Sequence, residues 1–257
     1  MKGVALLYHD VVDDGAWESS GFSGPDANIY KLSAGAFQDH LRAIRKANPN
    51  TVLTFDDGGA SVHGRVAGLL ESNGFKGLFF VATDWIGRPG FLDAQQIRDL
   101  RNRGHRIGTH SCSHPARMSH CSWEQLLDEW SRSLSILADI LGEPTPLGSV
   151  PGGFYSPRVG RAAAAAGITT LFTSEPTLTV HSVGGCAVIG RFMIQQKTTA
   201  AEAAALARGD ALPRYRQAIV WNCKKAAKAA GGAQWLRLRR WTLEKTQRYS
   251  HLALRKR

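Results

Sequence analysis

Two adjacent carboxylates follow an apolar run in the first quarter of the chain. The segment Thr54–Gly58 reads Thr-Phe-Asp-Asp-Gly, so Asp56 and Asp57 lie at the end of a candidate strand. Adjacent acids on an extended backbone point in different directions, so one can bind a metal ion while the other faces a water molecule. The alternative is a turn with both acids in solvent, since Asp and Gly are favoured turn residues.

A pair of histidines forms the second candidate group. His110 and His114 are four residues apart in Thr-His-Ser-Cys-Ser-His-Pro. Two neutral imidazoles can chelate one divalent ion, and an added carboxylate gives a three-ligand site with a position left for water, as hydrolysis requires. The alternative is a turn histidine and a surface histidine. We interpret Cys112, between them, as a packing residue, although a thiolate there could compete for the metal.

A third segment, 148–155, contains the consecutive glycines Gly152 and Gly153. Consecutive glycines allow backbone N–H groups to approach a ligand closely. The same residues are also compatible with an ordinary loop. Alone, this segment is a weak signal.

The elements that must position these segments alternate between short apolar runs and helical patterns. Apolar runs predict strands at 4–8, 51–55, 77–82, 106–109 and 168–172. Candidate N-caps predict helices after Asp93, Ser122, Ser156 and Thr199. Such alternation is typical of an α/β fold, in which the carboxyl ends of the strands gather functional groups.

In this order, the three segments resemble the NodB-homology polysaccharide deacetylases, carbohydrate esterase family four, over residues 4–194. The resemblance implies a distorted (β/α) barrel of about seven strands. It implies a divalent metal, most often zinc, with cobalt, nickel or manganese as alternatives. The implied roles are metal binding for Asp57, His110 and His114, catalytic base for Asp56, and oxyanion or substrate contact for the loop Pro151, Gly152 and Gly153.

The chain departs from this family at Ser149, because the family usually has an arginine two residues before the proline of this loop. That arginine helps to hold the base aspartate. We predict that Arg191, in the segment Ile-Gly-Arg-Phe, takes over this role. The alternative is reduced or absent activity.

The family's late Leu-x-His segment, which usually supplies an acid histidine, is also missing. A subgroup that resembles the poly-N-acetylglucosamine deacetylases has this motif permuted to the first strand as Tyr-His-Asp, and Tyr8, His9 and Asp10 match it. We therefore predict His9 as the general acid, oriented by Asp10. The alternatives are a strand-end histidine that only forms hydrogen bonds, and His181 as the acid.

Charge is distributed unevenly along the 257 residues. The formal net charge is +11, yet residues 214–257 alone contain 13 Lys or Arg and one acid, Glu244. We predict a deacetylase domain at 1–197 and a basic, Trp-rich helical extension at 198–257. The extension is typical of a segment that contacts an anionic membrane. The same composition could bind nucleic acid, but this fits a sugar deacetylase less well. The remaining alternative is a helical face exposed to solvent.

Four cysteines without a C-x-x-C spacing do not predict a disulfide framework. The apolar start is too short for a secretory signal, and no apolar run reaches the roughly 18 residues of a spanning helix. These features predict a cytoplasmic protein, peripheral at the inner membrane face.

The predicted activity is metal-dependent removal of N-acetyl groups from an amino-sugar oligo- or polysaccharide, free or lipid-linked, as in exopolysaccharide biosynthesis. Two alternatives stay open. One is a catalytically impaired carbohydrate-binding protein on the same fold, which the serine at 149 favours. The other is a metal-dependent deacylase of a non-sugar amide.

Overall fold

The computed structural model describes residues 3–223. In chain order, its elements are β1 (Ala5–Tyr8), β2 (Val11–Val12), α1 (Pro25–Asn28), β3 (Leu32–Ser33), α2 (Ala34–Ala47), β4 (Val52–Phe55), α3 (Ala67–Ser72), β5 (Gly77–Val81), α4 (Ala94–Asn102), β6 (Arg106–Thr109), α5 (Trp123–Leu141), β7 (Leu147–Ser149), α6 (Pro157–Ala165), β8 (Thr170–Phe172), β9 (His181–Val183), β10 (Cys186–Ile189), β11 (Phe192–Met193) and α7 (Ala200–Arg208). A π-helical turn, Val62–Val66, precedes α3, and a helical segment at 211–223 follows α7.

The main sheet contains nine strands in the order β11-β1-β4-β5-β6-β7-β8-β10-β9. Neighbouring strands are parallel except for the antiparallel pair β9 and β10. Ile189 ends β10 near one edge, and Phe192 begins β11 at the other edge only three residues later. Three residues span at most about 11 Å. The two edges therefore approach each other, and the sheet curls into a half-open barrel.

This architecture confirms the predicted (β/α) barrel, with more strands than the family resemblance implies. The hairpin β9–β10 and the two-residue β11 were not predicted from the sequence. The hairpin turns at Gly184 and Gly185, whose φ angles of 60° and 85° suit the turn types that match strand twist. Short strands like these carry too little apolar pattern to be recognised.

The predicted helix starts are confirmed. Capping boxes join the side chains and backbones of Asp93 and Gln96, of Ser122 and Gln125, and of Thr199 and Glu202. The Ser156 side chain accepts a hydrogen bond from the Val159 backbone N–H. These caps satisfy N–H groups that lack intrahelical partners, so each helix begins at a defined residue after its strand.

The packed core continues beyond residue 197, where the sequence predicted the domain to end. In α7, Ala203, Leu206 and Ala207 belong to the same core cluster as residues of β1, β4 and α2. The Asn48 side chain donates a hydrogen bond of 2.8 Å to the Ala207 carbonyl. Helix α7 is therefore integrated into the barrel.

Most of the predicted extension, residues 224–257, lies outside the described residues, so its membrane contact stays a prediction. Within 3–223, none of the helices combines the length and apolar character needed to cross a bilayer. All four cysteines have free thiols, so none is in a disulfide.

Candidate active site

Three of the predicted site residues converge above the carboxyl ends of β4 and β6. Asp57, His110 and His114 each offer a ligand atom within 4.8 Å of the others. Asp57 Oδ1 lies 3.4 Å from His110 Nε2 and 3.4 Å from His114 Nε2. Two ligands about 2.1 Å from a tetrahedral zinc ion are also about 3.4 Å apart. The three residues therefore fit a single divalent cation.

The backbone at this site is in a region that residues other than glycine seldom adopt. Asp57, Ser111 and His114 have φ angles of 76°, 63° and 59°. Such conformations cost roughly 1–3 kcal/mol each and are typical of functional sites. Two of the three candidate ligands, Asp57 and His114, thus have strained backbone conformations that the rest of the fold must stabilise.

Contacts behind the two imidazoles orient them. His110 Nδ1 lies 3.0 Å from the Ser149 carbonyl oxygen, so a proton on Nδ1 leaves Nε2 as the free lone pair. The His114 ring packs on Phe22, with 4.7 Å between ring centroids. Both rings therefore present Nε2 toward Asp57.

Glu129 of α5 organises the loop between the two histidines. Its Oε2 accepts hydrogen bonds of 2.9 Å from the backbone N–H groups of Cys112 and Ser113. The Cys112 thiol is buried and donates to Asp84, and burial raises its pKa to about 11. Cys112 is therefore protonated at neutral pH and does not compete for a metal ion as a thiolate.

Asp56 is paired with Arg191 in the interior of the barrel. Arg191 Nη1 donates to Asp56 Oδ1 at 2.7 Å, and Nη2 donates to Oδ2 at 2.8 Å. Arg191 is 0% exposed. Burial alone would raise the pKa of Asp56, but the guanidinium and His110 hold this pKa below its usual value of 3.8. The carboxylate is thus ionised, as a base requires.

The surroundings of this pair explain how the chain accommodates Ser149. The Ser149 hydroxyl donates to Asp56 Oδ2 at 3.1 Å and accepts from Arg191 Nη2 at 2.7 Å. Arg191 also donates to the Thr54 hydroxyl and to the Thr173 carbonyl, both at 3.0 Å. Arg191 therefore occupies, from the link between β10 and β11, the place beside Asp56 that the sequence proposed for it.

His9 and Asp10 follow β1 and have separate surroundings. The His9 ring stacks on Tyr30 at 4.9 Å, and its buried Nδ1 has no hydrogen-bond partner among the described residues. The Asp10 carboxylate accepts from the hydroxyls of Ser20 and Ser61 at 2.6 and 2.7 Å. Within residues 3–223, no hydrogen bond joins Asp10 to His9. Asp10 instead anchors the loop that follows β2.

This loop forms one wall of the site. The buried Lys31 ammonium donates to the carbonyl oxygens of Trp17 and Phe22, the second at 2.7 Å. These bonds hold the Phe22 ring against His114. Neither Lys31 nor Phe22 was predicted from the sequence, because no motif marks a loop that contacts the site only in the folded state.

A cavity of about 560 Å³ opens above these groups. Its lining includes the predicted residues His9, Asp10, Asp56, Asp57, His110, His114, Gly152 and Gly153. Pro151, Gly152 and Gly153 form a single turn at the end of β7, with φ angles of 62° and 70° at the two glycines. The volume and mixed lining are typical of a small-molecule site.

The remaining acid candidate, His181, lies on β9. Its Nε2 is 3.2 Å from the Tyr155 hydroxyl. Tyr155 lines the cavity, whereas His181 is not among the described residues that do so. Of the two histidines proposed as acid, the structure brings His9 to the same cavity as Asp56.

The sequence profile of the family described as "Polysaccharide deacetylase" matches residues 43–171, about half of the chain. The chain belongs to the polysaccharide deacetylase family. The matched region contains Asp56, Asp57, His110 and His114, and residues before it and after it supply His9 and Arg191.

Individual polysaccharide deacetylases resemble this chain in sequence and in fold. YheN of Bacillus subtilis, a proposed polysaccharide deacetylase, is 30% identical over 115 residues, which are 44% of this chain and 39% of YheN. The matched span is therefore less than half of that relative. The deacetylase PplD of Streptococcus pyogenes, in complex with acetate, is 18% identical, with a TM-score of 0.65 over 78% of this chain and 95% of its own.

IcaB of Ammonifex degensii is 21% identical, with a TM-score of 0.62 over 81% of this chain and 98% of its own. Because both identities are low, these two similarities show that this chain has the deacetylase fold and show nothing about its substrate. The subgroup with the histidine motif permuted to the first strand stays a prediction.

Proposed function

We propose that this polysaccharide deacetylase removes N-acetyl groups from an amino-sugar oligo- or polysaccharide. The observation that carries this proposal is the position of the Asp57, His110 and His114 triad beside the ionised, Arg191-paired Asp56 in one cavity. A cation site next to a carboxylate base is an arrangement that can hydrolyse an unactivated amide.

Zinc is the cation that we propose for this site. One carboxylate oxygen and two imidazole nitrogens are donors that zinc accepts, and the 3.4 Å separations suit its tetrahedral geometry. When bound, the cation would polarise the acetamide carbonyl and lower the pKa of water from its high value in bulk solvent to roughly 7.

The protein's own groups perform the proton transfers in the proposed mechanism. Asp56 accepts a proton from the attacking water, whose oxygen bonds to the carbonyl carbon of the acetamide. The Gly152 backbone N–H donates to the developing oxyanion. Protonated His9 donates to the sugar nitrogen as the C–N bond breaks. The products are acetate and a free amino sugar.

The acid role of His9 predicts a selective defect in His9→Ala. Protonation matters most when the leaving group is a basic amine, so we expect turnover of an N-acetylglucosamine oligomer to fall at least about 100-fold. Hydrolysis of 4-nitrophenyl acetate, whose leaving group needs no proton, should fall far less. Acetate release and nitrophenolate absorbance measure the two rates.

His181→Ala is the matched control, because this histidine lies outside the cavity lining of the described chain. It should retain the wild-type rate on both substrates. A wild-type rate on the oligomer for His9→Ala would remove the acid role from this residue.

Acetate release from short N-acetylglucosamine oligomers tests the proposed function itself. Two other functions predict different results. A carbohydrate-binding protein without activity would retain the oligomer and release no acetate. A deacylase of non-sugar amides would hydrolyse simple acetamides faster than the sugars. The pairing of Arg191 with Asp56 supports the catalytic proposal over the first of these.

A further inference from the structure

A second cavity, of about 720 Å³, adjoins the active-site cavity. The two cavities have three lining residues in common: Ser174, Met193 and Trp221. A ligand that extends from the metal-binding triad past these residues would therefore enter the second cavity. The two cavities therefore meet at these three residues, and a path from one cavity to the other would run past them.

The helical segment 211–223, which forms one side of this path, is fixed to the barrel. The Gln217 side chain accepts a hydrogen bond of 3.1 Å from the Met193 N–H and donates one of 2.9 Å to the Met193 carbonyl. One turn later, the Trp221 ring packs on Gly153, where a Cβ atom would lie 2.8 Å from the ring. These contacts hold the residues at the junction between the two cavities in place.

The lining of the second cavity is mainly apolar. Leu206 and Ala205 of α7 face Leu212, Pro213 and Val220 of the helical segment. A sugar chain needs many hydrogen-bonding partners, whereas a hydrocarbon chain gains free energy by leaving water for such a surface. The cavity therefore suits an aliphatic ligand better than further sugar units.

The charged residues that line the described part of this cavity are Lys197, Glu202 and Arg216, and all three are exposed. The stems of Lys197 and Arg216 can therefore cover apolar surface while the charged ends reach water. Leu212 and Val220 are 81% and 47% exposed. Among the described residues, the apolar cavity is therefore open to an incoming chain.

Ser174 supplies a polar group at the junction. Its hydroxyl is buried, with the residue 5% exposed, and has no hydrogen-bond partner in the described part of the chain. A buried hydroxyl without a hydrogen-bond partner destabilises the protein, and a hydrogen bond to a ligand oxygen would remove that cost. The junction therefore suits the oxygen that links a sugar to an aliphatic chain.

We propose that the second cavity binds the hydrocarbon chain of an amphiphilic substrate, while its N-acetylated sugar occupies the active-site cavity. This inference rests on the proposed deacetylase function and specifies the substrate class as a lipid-linked amino sugar. Trp221 and Ser174 are then specificity-determining residues at the boundary between sugar and lipid.

The test compares octyl N-acetyl-β-glucosaminide with N-acetylglucosamine as substrates of the full chain. Two buried methylene groups are enough for about a tenfold gain, so we expect kcat/KM for acetate release to be at least tenfold higher for the octyl compound. Calorimetric titration with the same compound measures its binding independently of turnover, and burial of the chain should give a negative heat-capacity change.

Val220→Asp places a charge in the cavity wall at a half-exposed position, where the fold should tolerate it. We expect this variant to lose the octyl preference and to keep the wild-type rate on N-acetylglucosamine. Ile219→Asp is the matched control, because this neighbouring residue is 64% exposed and lines neither cavity. It should keep the octyl preference.

The outcomes separate the inference from the function on which it rests. Equal kcat/KM for the two substrates, or an octyl preference that survives in Val220→Asp, would overturn the lipid assignment and leave the deacetylase function intact. Octyl binding that Val220→Asp abolishes, without acetate release from either substrate, would support the cavity assignment and count against the deacetylase function.

Discussion

Asp56→Asn is expected to bind the metal ion as the wild type does and to lose at least about 100-fold in kcat. The substitution removes the proton acceptor of the proposed mechanism, and a positioned base contributes about 10²–10⁴ in rate. Metal binding should persist because the candidate ligands are Asp57, His110 and His114. Metal content by elemental analysis and acetate release from an N-acetylglucosamine oligomer measure the two properties.

Asp57→Ala is the matched comparison at the neighbouring residue. It should lose both metal and turnover, because two imidazoles alone hold a divalent ion weakly. Full activity in Asp56→Asn would refute the base assignment. A metal content that falls equally in both variants would show that the two aspartates do not have separate roles.

Arg191→Met is expected to lower the free energy of unfolding by roughly 3–5 kcal/mol. The substitution leaves the Asp56 carboxylate buried without its partner, and removal of one member of a buried ion pair has a cost of this size. The same change withdraws a bidentate contact that orients the base, so turnover should also fall. Urea denaturation measures the first effect, and acetate release measures the second.

Arg132→Met serves as the control for loss of an arginine charge. Arg132 forms ion pairs with Asp84 and Asp128, but its side chain is 52% exposed. Exposed pairs contribute about 0–1 kcal/mol, so this variant should remain close to wild-type stability. If Arg191→Met were no less stable than Arg132→Met, Arg191 would have no structural role beside Asp56.

Much of the site could be predicted because its residues lie at the ends of strands with clear apolar patterns. Asp56 and Asp57 follow β4, and His110 follows β6, so the parallel sheet brings them to one end of the barrel. Likewise, the helix caps depend on residues that are local in sequence. Local patterns of this kind need no tertiary information to be recognised.

The contacts that complete the site are distant in sequence and carry no such pattern. Arg191 lies 135 residues from Asp56, and Glu129 lies 17 residues from Cys112. The role of Ser149 is clear only beside both members of the ion pair. The sequence indicated a departure at Ser149 and pointed to Arg191 in compensation, but it did not show that the Ser149 hydroxyl contacts both members of the pair.

The limit of the barrel domain has a similar explanation. The sequence predicted that a basic, Trp-rich extension begins at residue 198, before α7. Small side chains instead allow α7 to pack closely against α2, with Ala203 and Ala207 fully buried. The charge pattern of the extension therefore does not show where the packed core ends.

The most direct test of the central claim is zinc titration of the metal-free protein, with acetate release from an N-acetylglucosamine oligomer recorded on the same samples. We predict that activity rises in proportion to bound zinc until one ion is bound per chain, and that His114→Ala shows neither tight binding nor activity. Full acetate release by the metal-free protein, or stoichiometric zinc binding in His114→Ala, would contradict the assignment of the triad as the catalytic metal site.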